Sequence, residues 1–267
     1  MSDERILILI PHPDDEVAGC AAAIGRARDA GAALFGLYLT TGVPAPETLW
    51  PWQRRRHAEL VERRRGEARE AAALLGIEPL AFAERPARQL KSFLGEAVAE
   101  IRAARLQCHA TRIWVPAWEG GHQDHDVANF LAAQIARDVP VTEFAEYNYA
   151  GGAVRSQSFP ALRGDETVLR LSALETTQKR RLLARYRSEA RNLTHIGTAV
   201  EMLRPLGPYD YRAPPHQGTL FRERFHWVPF RHPRVDFDSS ADILAALARF
   251  DGAAAAGAPL PLTAGAA

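Results

Sequence analysis

Cysteine, lysine and long apolar runs are all scarce in this chain of 267 residues. The two cysteines, Cys20 and Cys108, form no CxxC pair. That excludes a disulfide framework or a thiolate metal cluster and leaves both as small core side chains. No stretch approaches the roughly 20 apolar residues that a membrane-crossing helix needs. The charged start Ser2-Asp3-Glu4-Arg5 and the short apolar run 6–10 do not make a secretory signal, so a cytoplasmic protein without a membrane span is expected. Excess charge is lacking as well: 33 basic against 32 acidic residues give a formal net charge of +1. Nothing in that balance calls for nucleic acid or an anionic membrane as partner. A GxGxxG turn after the first apolar run is also missing, which argues against a dinucleotide-binding dehydrogenase or transferase.

What is present is an alternation of short aliphatic runs and helical stretches. Residues 6–10 are uninterrupted Ile and Leu, as in a parallel strand buried on both faces, and Pro11 stops them. Residues 17–30 read as a helix closed by Gly31, 33–41 as a second strand and 52–75 as a long helix closed by Gly76. A short third strand is expected at 80–82, a helix at 89–105, and a strand at 113–116 that again ends on a proline. A helix follows at 124–137, strands at 141–149 and 168–171, and a helix at 173–192. Strand–helix alternation of this kind predicts a Rossmann-like, doubly wound α/β fold with a mostly parallel sheet and helices on both faces. Residues 1–251 are expected to form one domain. Within it, 193–238 make a proline- and aromatic-rich arm packed on the body, and 252–267 a loose Ala/Gly/Pro tail.

Two motifs carry chemistry. Pro11-His12-Pro13-Asp14-Asp15-Glu16 follows the first strand directly, at the strand end where open α/β sheets bind ligands. A histidine and a carboxylate there can ligate a metal, and a second carboxylate can take a proton. Capping of the next helix accounts for one of the aspartates but not for the whole cluster. The second motif, Gly120-Gly121-His122-Gln123-Asp124-His125-Asp126, occupies the equivalent place after the strand at 113–116. If the two strands are neighbours, His12, Asp15 and one of His122 or His125 form a three-ligand set with an open position, the pattern of catalytic zinc. Fe(II) or Co(II) suit the same donors.

The pair PHPDDE and GGHxDH, with the helix Arg64–Gly76 and the stretch around Lys179 and Tyr186-Arg187-Ser188, resembles the LmbE-like (PIG-L) N-acetylglucosaminyl deacetylases over most of residues 5–192. The resemblance implies a zinc enzyme that hydrolyses the N-acetyl group of an amino-sugar conjugate, a small-molecule partner. It implies His12, Asp15 and His125 as metal ligands and Asp14 as general base. His122 would face the developing oxyanion with Asp124 tuning it, and Arg64 would lie near the sugar. Thr41, in a Thr40-Thr41-Gly42 turn where the family often has TDG, and Tyr211 in the arm are further candidate sugar contacts. Gln123 replaces a frequent proline, and Gly120 stands where some members have tyrosine. Hydrolysis of another amide or ester stays open, as does a non-catalytic sugar- or metal-binding module and a homo-oligomeric assembly. A two-metal phosphodiesterase needs more carboxylates than these motifs supply. The arginine-rich run 54–69 is interleaved with Glu59, Glu62 and Glu67 and reads as a solvated helix face.

Overall fold

The computed structural model describes residues 3–230, 232–233 and 235–255. In chain order the strands are β1 (Arg5–Ile10), β2 (Ala33–Tyr38), β3 (Ile77–Phe82), β4 (Arg112–Pro116), β5 (Val141–Phe144), β6 (Tyr147–Asn148), β7 (Arg155–Ser156), β8 (Thr167–Arg170) and β9 (Val200–Pro205). The helices are α1 (Asp15–Asp29), α2 (Pro51–Arg54), α3 (His57–Leu75), α4 (Leu94–Gln107), α5 (Gln123–Ala133), α6 (Ala173–Leu183) and α7 (Ser240–Ala255). Seven strands form one sheet in the order β3-β2-β1-β4-β5-β9-β8, parallel from β3 to β5 and antiparallel at β9 and β8. The expected mostly parallel, helix-flanked sheet is the observed one.

The all-aliphatic β1 is central because both its faces are covered. Leu7 and Leu9 pack with α4, α5 and α7, while Ile6, Ile8 and Ile10 pack with α1, α3 and α6. The chain leaves β1 towards β2 on one side and leaves β4 towards β5 on the other. The strand order therefore reverses between β1 and β4, and a crevice opens beyond their carboxyl ends. Both motifs lie there.

Several boundaries differ from the sequence reading. The long helix at 52–75 is split at Arg55-Arg56 into α2 and α3, and the helix at 173–192 stops at Leu183. The strand at 141–149 is likewise β5 followed by a separate two-residue β6. The arm is more than a packed extension, since it supplies β9 to the central sheet. Helix α7 occupies the start of the expected tail, whose residues 256–267 lie outside the described residues. Both cysteines are buried and unpaired. Among the described residues no helix is long and apolar enough to cross a membrane.

Helix α1, which presents the first motif, is kinked at Cys20 (φ −147°, ψ 28°). The backbone groups released there find side-chain partners, as a break in a buried helix requires. Glu201 on β9 accepts from the amides of Ala22 (3.0 Å) and Ala23 (2.8 Å), and Gln157 Nε2 donates to the Ala18 carbonyl at 2.7 Å. Lys179 Nζ on α6 closes the network, donating to Glu201 at 2.8 Å and to Gln157 Oε1 at 3.2 Å. Both ends of the Lys179–Glu201 pair have fully buried side chains. Lys179→Met leaves Glu201 buried without its cation and is expected to cost about 3–5 kcal/mol of stability. Denaturant unfolding measures this, and the added change Glu201→Gln should restore part of the loss.

Candidate active site

The turn after β1 is held from both sides. Thr40 donates to the Pro11 carbonyl through its amide (3.1 Å) and its hydroxyl (2.7 Å). Asp15 Oδ2 accepts from the His12 amide at 2.7 Å, folding the turn over the start of α1. Asp14 sits between them at φ 125°, a conformation that costs a non-glycine residue on the order of 1–3 kcal/mol. Its side chain makes no capping bond to α1. It turns instead to Arg64 Nη2, 3.1 Å from Oδ2. Arg64, on α3, also donates to the carbonyls of Gly42 (2.9 Å) and Pro13 (2.6 Å) and pairs with Glu189 at 2.5 Å. Glycine is required at 42, which has φ 71° and where a Cβ would lie 2.6 Å from Arg64 Nε.

The turn after β4 is built on Asp126. Its Oδ1 accepts from the amides of Glu119 and Gly120, both at 3.1 Å, and its Oδ2 pairs with Arg222 of the arm at 2.5 Å. Gly121 lies so close to β6 that a Cβ would meet the Tyr147 carbonyl at 2.4 Å. His122 caps α5, its Nδ1 accepting from the Asp124 amide at 3.0 Å. A neutral His122 therefore carries its proton on Nε2. Asp124 accepts from the amides of Arg88 (2.6 Å) and Leu90 (3.1 Å).

The two turns meet in one buried cluster. His12 Nδ1 is 3.2 Å from His125 Nε2 and 3.3 Å from Asp15 Oδ2, and His125 Nε2 is 3.2 Å from Asp15 Oδ1. Ligands at zinc distances of 2.0–2.1 Å in a tetrahedron are about 3.3 Å apart, so this spacing suits one metal ion touching all three. The other ring nitrogen of His12 is 3.0 Å from Asp124 Oδ2, the carboxylate–imidazole contact that orients metal-binding histidines. His125 Nδ1 has no hydrogen-bond partner and faces Glu146 Oε2 at 4.0 Å. Both Glu146 oxygens are buried and unpartnered. Donor atoms of His12, His122 and His125, and of Asp15, His125 and Glu146, also converge within 4.8 Å.

The electrostatics agree with a cation site. Burial opposes a charge on His12, yet Asp15 and Asp124 outweigh it and raise the imidazole to about 10. Burial acts upward on Asp15, but His125 and His12 hold its carboxyl well below the usual range. Burial, with smaller help from Asp15, lifts the Asp14 carboxyl well above its usual value against the opposing pull of Arg64. Burial and the neighbouring positive charges of His12 and His125 keep His122 neutral, well below its ordinary value.

Residues 7–136 match the PIG-L family, whose description is GlcNAc-PI de-N-acetylase. The matched segment is a little under half of the chain and includes both motifs. A comparison with curated protein sequences finds no match. Among solved structures, a deacetylase of the teicoplanin biosynthesis pathway aligns with TM-score 0.58 and 21% identity, over 77% of this chain and 99% of its own. The N,N'-diacetylchitobiose deacetylase of Pyrococcus horikoshii aligns at 0.56 and 17%, over 79% and 84%. A 4-carboxy-2-hydroxymuconate hydratase from Pseudomonas putida aligns at 0.53 and 16%, over 77% and 97%. At these identities the likeness is one of fold.

Six of the expected site residues are brought together: His12, Asp14, Asp15, His122, Asp124 and His125. Asp124 contacts His12, and lies 3.8 Å from the His122 ring nitrogen it was expected to tune. Arg64 lines the cavity, but its guanidinium is engaged with Asp14, Glu189 and two carbonyls rather than left for a sugar. Thr41 is buried in its turn, its hydroxyl bonded to the Val43 backbone. Tyr211 is directed away: its ring packs on Trp118 and Phe130, and its hydroxyl donates to Asn129 Oδ1 at 2.7 Å. Neither Thr41 nor Tyr211 lines the cavity of about 760 Å³ above the cluster. Further walls come from residues 187–196, from Glu146-Tyr147, from Phe221, Arg222, Arg224 and Phe225, and from Pro233, Val235 and Asp236.

Folded His12 at about 10, against an ordinary 6.5, stabilises the chelated protein fully below about pH 6.5 and ceases to do so as the pH rises through 10. Stability measured in chelator should therefore decline across that window, and His12→Asn should flatten the decline. Asp124→Asn should weaken metal affinity about 10- to 100-fold in a chelator competition.

Proposed function

We propose that the chain is a zinc-dependent hydrolase that removes an N-acetyl or similar N-acyl group from an amino-sugar conjugate. The observation that carries this reading is the convergence of His12, Asp15 and His125 at mutual distances of 3.2–3.3 Å with the buried, Arg64-held Asp14 next in sequence. His12, Asp15 and His125 would hold the ion, with Asp124 orienting His12. The unpartnered oxygens of Glu146 leave it facing His125 Nδ1 as the matching orienting group. Zinc supplies acidification of a water towards neutral pH and polarisation of the amide carbonyl.

The protein's own groups do the rest. Asp14 accepts the proton of the attacking water, its carboxyl raised by burial and so a stronger base than an ordinary carboxylate. Arg64 fixes the carboxylate and keeps it from rising further. His122 donates Nε2–H to the carbonyl oxygen as a neutral imidazole, its Nδ1 already accepting from the Asp124 amide. One such donor is worth about 3–4 kcal/mol in the transition state. With His122 held neutral, the protonated Asp14 is the acid that returns a proton to the leaving amine.

Fluorescent detection of amine released from a panel of N-acetylglucosaminides tests this. The zinc-loaded protein should release amine, and chelation should abolish it reversibly. Asp14→Asn should retain bound metal and lose about 10²–10⁴-fold in turnover. His125→Ala should lose the metal itself. Near-normal turnover by metal-loaded Asp14→Asn would rule out the base assignment.

A further inference from the structure

Among the described residues six arginines line the cavity: Arg64, Arg88, Arg187, Arg191, Arg222 and Arg224. Arg64 is paired with Asp14 and Glu189, and Arg222 with Asp126. Arg88 donates to the carbonyls of Pro233 (2.9 Å) and Val235 (3.2 Å). The other three have no carboxylate within 4.0 Å among the described residues. The cavity's acids are all engaged elsewhere or sit at the cluster. Asp14 and Glu189 face Arg64, Asp15 faces the histidines, Glu146 lies beside His125, and Asp236 accepts from Gln123 at 2.6 Å.

Two separate paths place the free guanidiniums near the cluster. Arg187 and Arg191 flank Glu189, which grips Arg64, which in turn holds Asp14. On the second path the Tyr147 ring lies 5.6 Å from His125 and 4.6 Å from Phe221, and the Arg224 guanidinium stacks 3.3 Å from the Phe221 ring centre and 4.8 Å from that of Phe225. Among the described residues the only hydrogen bond of the Arg224 guanidinium is a long one, 3.4 Å, to the Phe221 carbonyl. Its burial without a carboxylate pulls it below the ordinary arginine value. A stacked, half-buried guanidinium with donors left over is pre-organised for a planar or tetrahedral oxyanion.

We infer that the substrate carries an anionic group, a phosphate or a carboxylate, beyond its N-acyl sugar, and that Arg224 with Arg187 and Arg191 binds it. This rests on the deacetylase reading and narrows its substrate class. Zinc-loaded protein would be assayed with methyl N-acetylglucosaminide, N-acetylglucosamine 1-phosphate and the carboxymethyl N-acetylglucosaminide. The expected result is kcat/KM at least tenfold higher for an anionic glycoside than for the neutral one, carried in KM and shrinking as salt is raised. Whichever of phosphate and carboxylate is preferred identifies the source of the charge. Arg224→Gln, and separately the pair Arg187→Gln with Arg191→Gln, should make the protein treat charged and neutral glycosides alike, with Arg224→Lys keeping part of the preference.

Turnover of all three glycosides at equal rates would overturn the inference and leave the deacetylase reading standing. If none is turned over, calorimetric titration with N-acetylglucosamine 1-phosphate and the methyl glycoside decides separately. Binding of the phosphate alone, lost in Arg224→Gln, upholds the anion site while the activity reading falls. Equal or absent binding of both overturns the anion site too.

Discussion

Seven carboxylates, those of Asp14, Asp15, Glu16, Glu119, Asp124, Asp126 and Glu146, lie less than a tenth exposed around the two turns beyond β1 and β4. Burying so much potential negative charge is tolerable only where each group finds donors or a cation. Most do. Asp126 has two amides and Arg222, Asp124 two amides and His12, Glu119 the amides of Glu146 and Tyr147, Glu16 the Tyr186 hydroxyl, and Asp14 Arg64. The compensation runs short at the centre. Asp15 has only its two histidines as side-chain partners, and Glu146 has none. A divalent ion there would complete the arrangement, and the same deficit raises His12 to about 10. Compensation is thinnest at Asp15, which has one amide and two histidines, and at Glu146, whose carboxylate oxygens have no hydrogen-bond partner.

How much of this can be read in the chain depends on whether the signal is local. β1 and β4 are legible because both faces are covered and the runs are wholly apolar, with prolines to end them. β9 is not. Its buried positions include Glu201 and Arg204, whose charges are matched by Lys179 and Glu143 from distant segments, so hydrophobic alternation fails inside a real strand. Helix α7 was within reach, since Ile243, Leu247 and Phe250 recur at helical spacing and are buried, but the Ala/Gly-rich residues after it obscure the pattern. The early end of α6 is tertiary in origin. After Leu183 the chain turns so that Ser188 bonds to Glu67 and Glu189 to Arg64, contacts that no local propensity announces.

The same division holds at the site. Donors clustered in two short runs beyond strand ends, 11–16 and 120–126, could be found without a structure, and His12, Asp14, Asp15, His122, Asp124 and His125 do converge. Thr41 and Tyr211 were chosen by position and residue type alone, and each has its hydroxyl engaged locally. Glu146 and Tyr147 follow β5, the neighbour of β4, and so occupy a third strand end at the same edge of the sheet. The rule that pointed to the first two turns applies to this one, but it becomes usable only once the strand order is known.

Fold alone does not choose the reaction, since a hydratase and deacetylases share it with this chain. The proposed reaction turns on Asp14, whose carboxyl is raised by burial and pulled down by Arg64. Arg64 sets the balance, and it is itself held by three segments: the Pro13 carbonyl of the first turn, the Gly42 carbonyl after β2, and Glu189 beyond α6. The segment that carries Glu189 also carries Arg187 and Arg191. On the proposed reading, a group bound by those arginines would act on the same stretch of chain that holds Arg64 against Asp14, so recognition of the far end of a substrate and basicity at the near end would meet at one guanidinium.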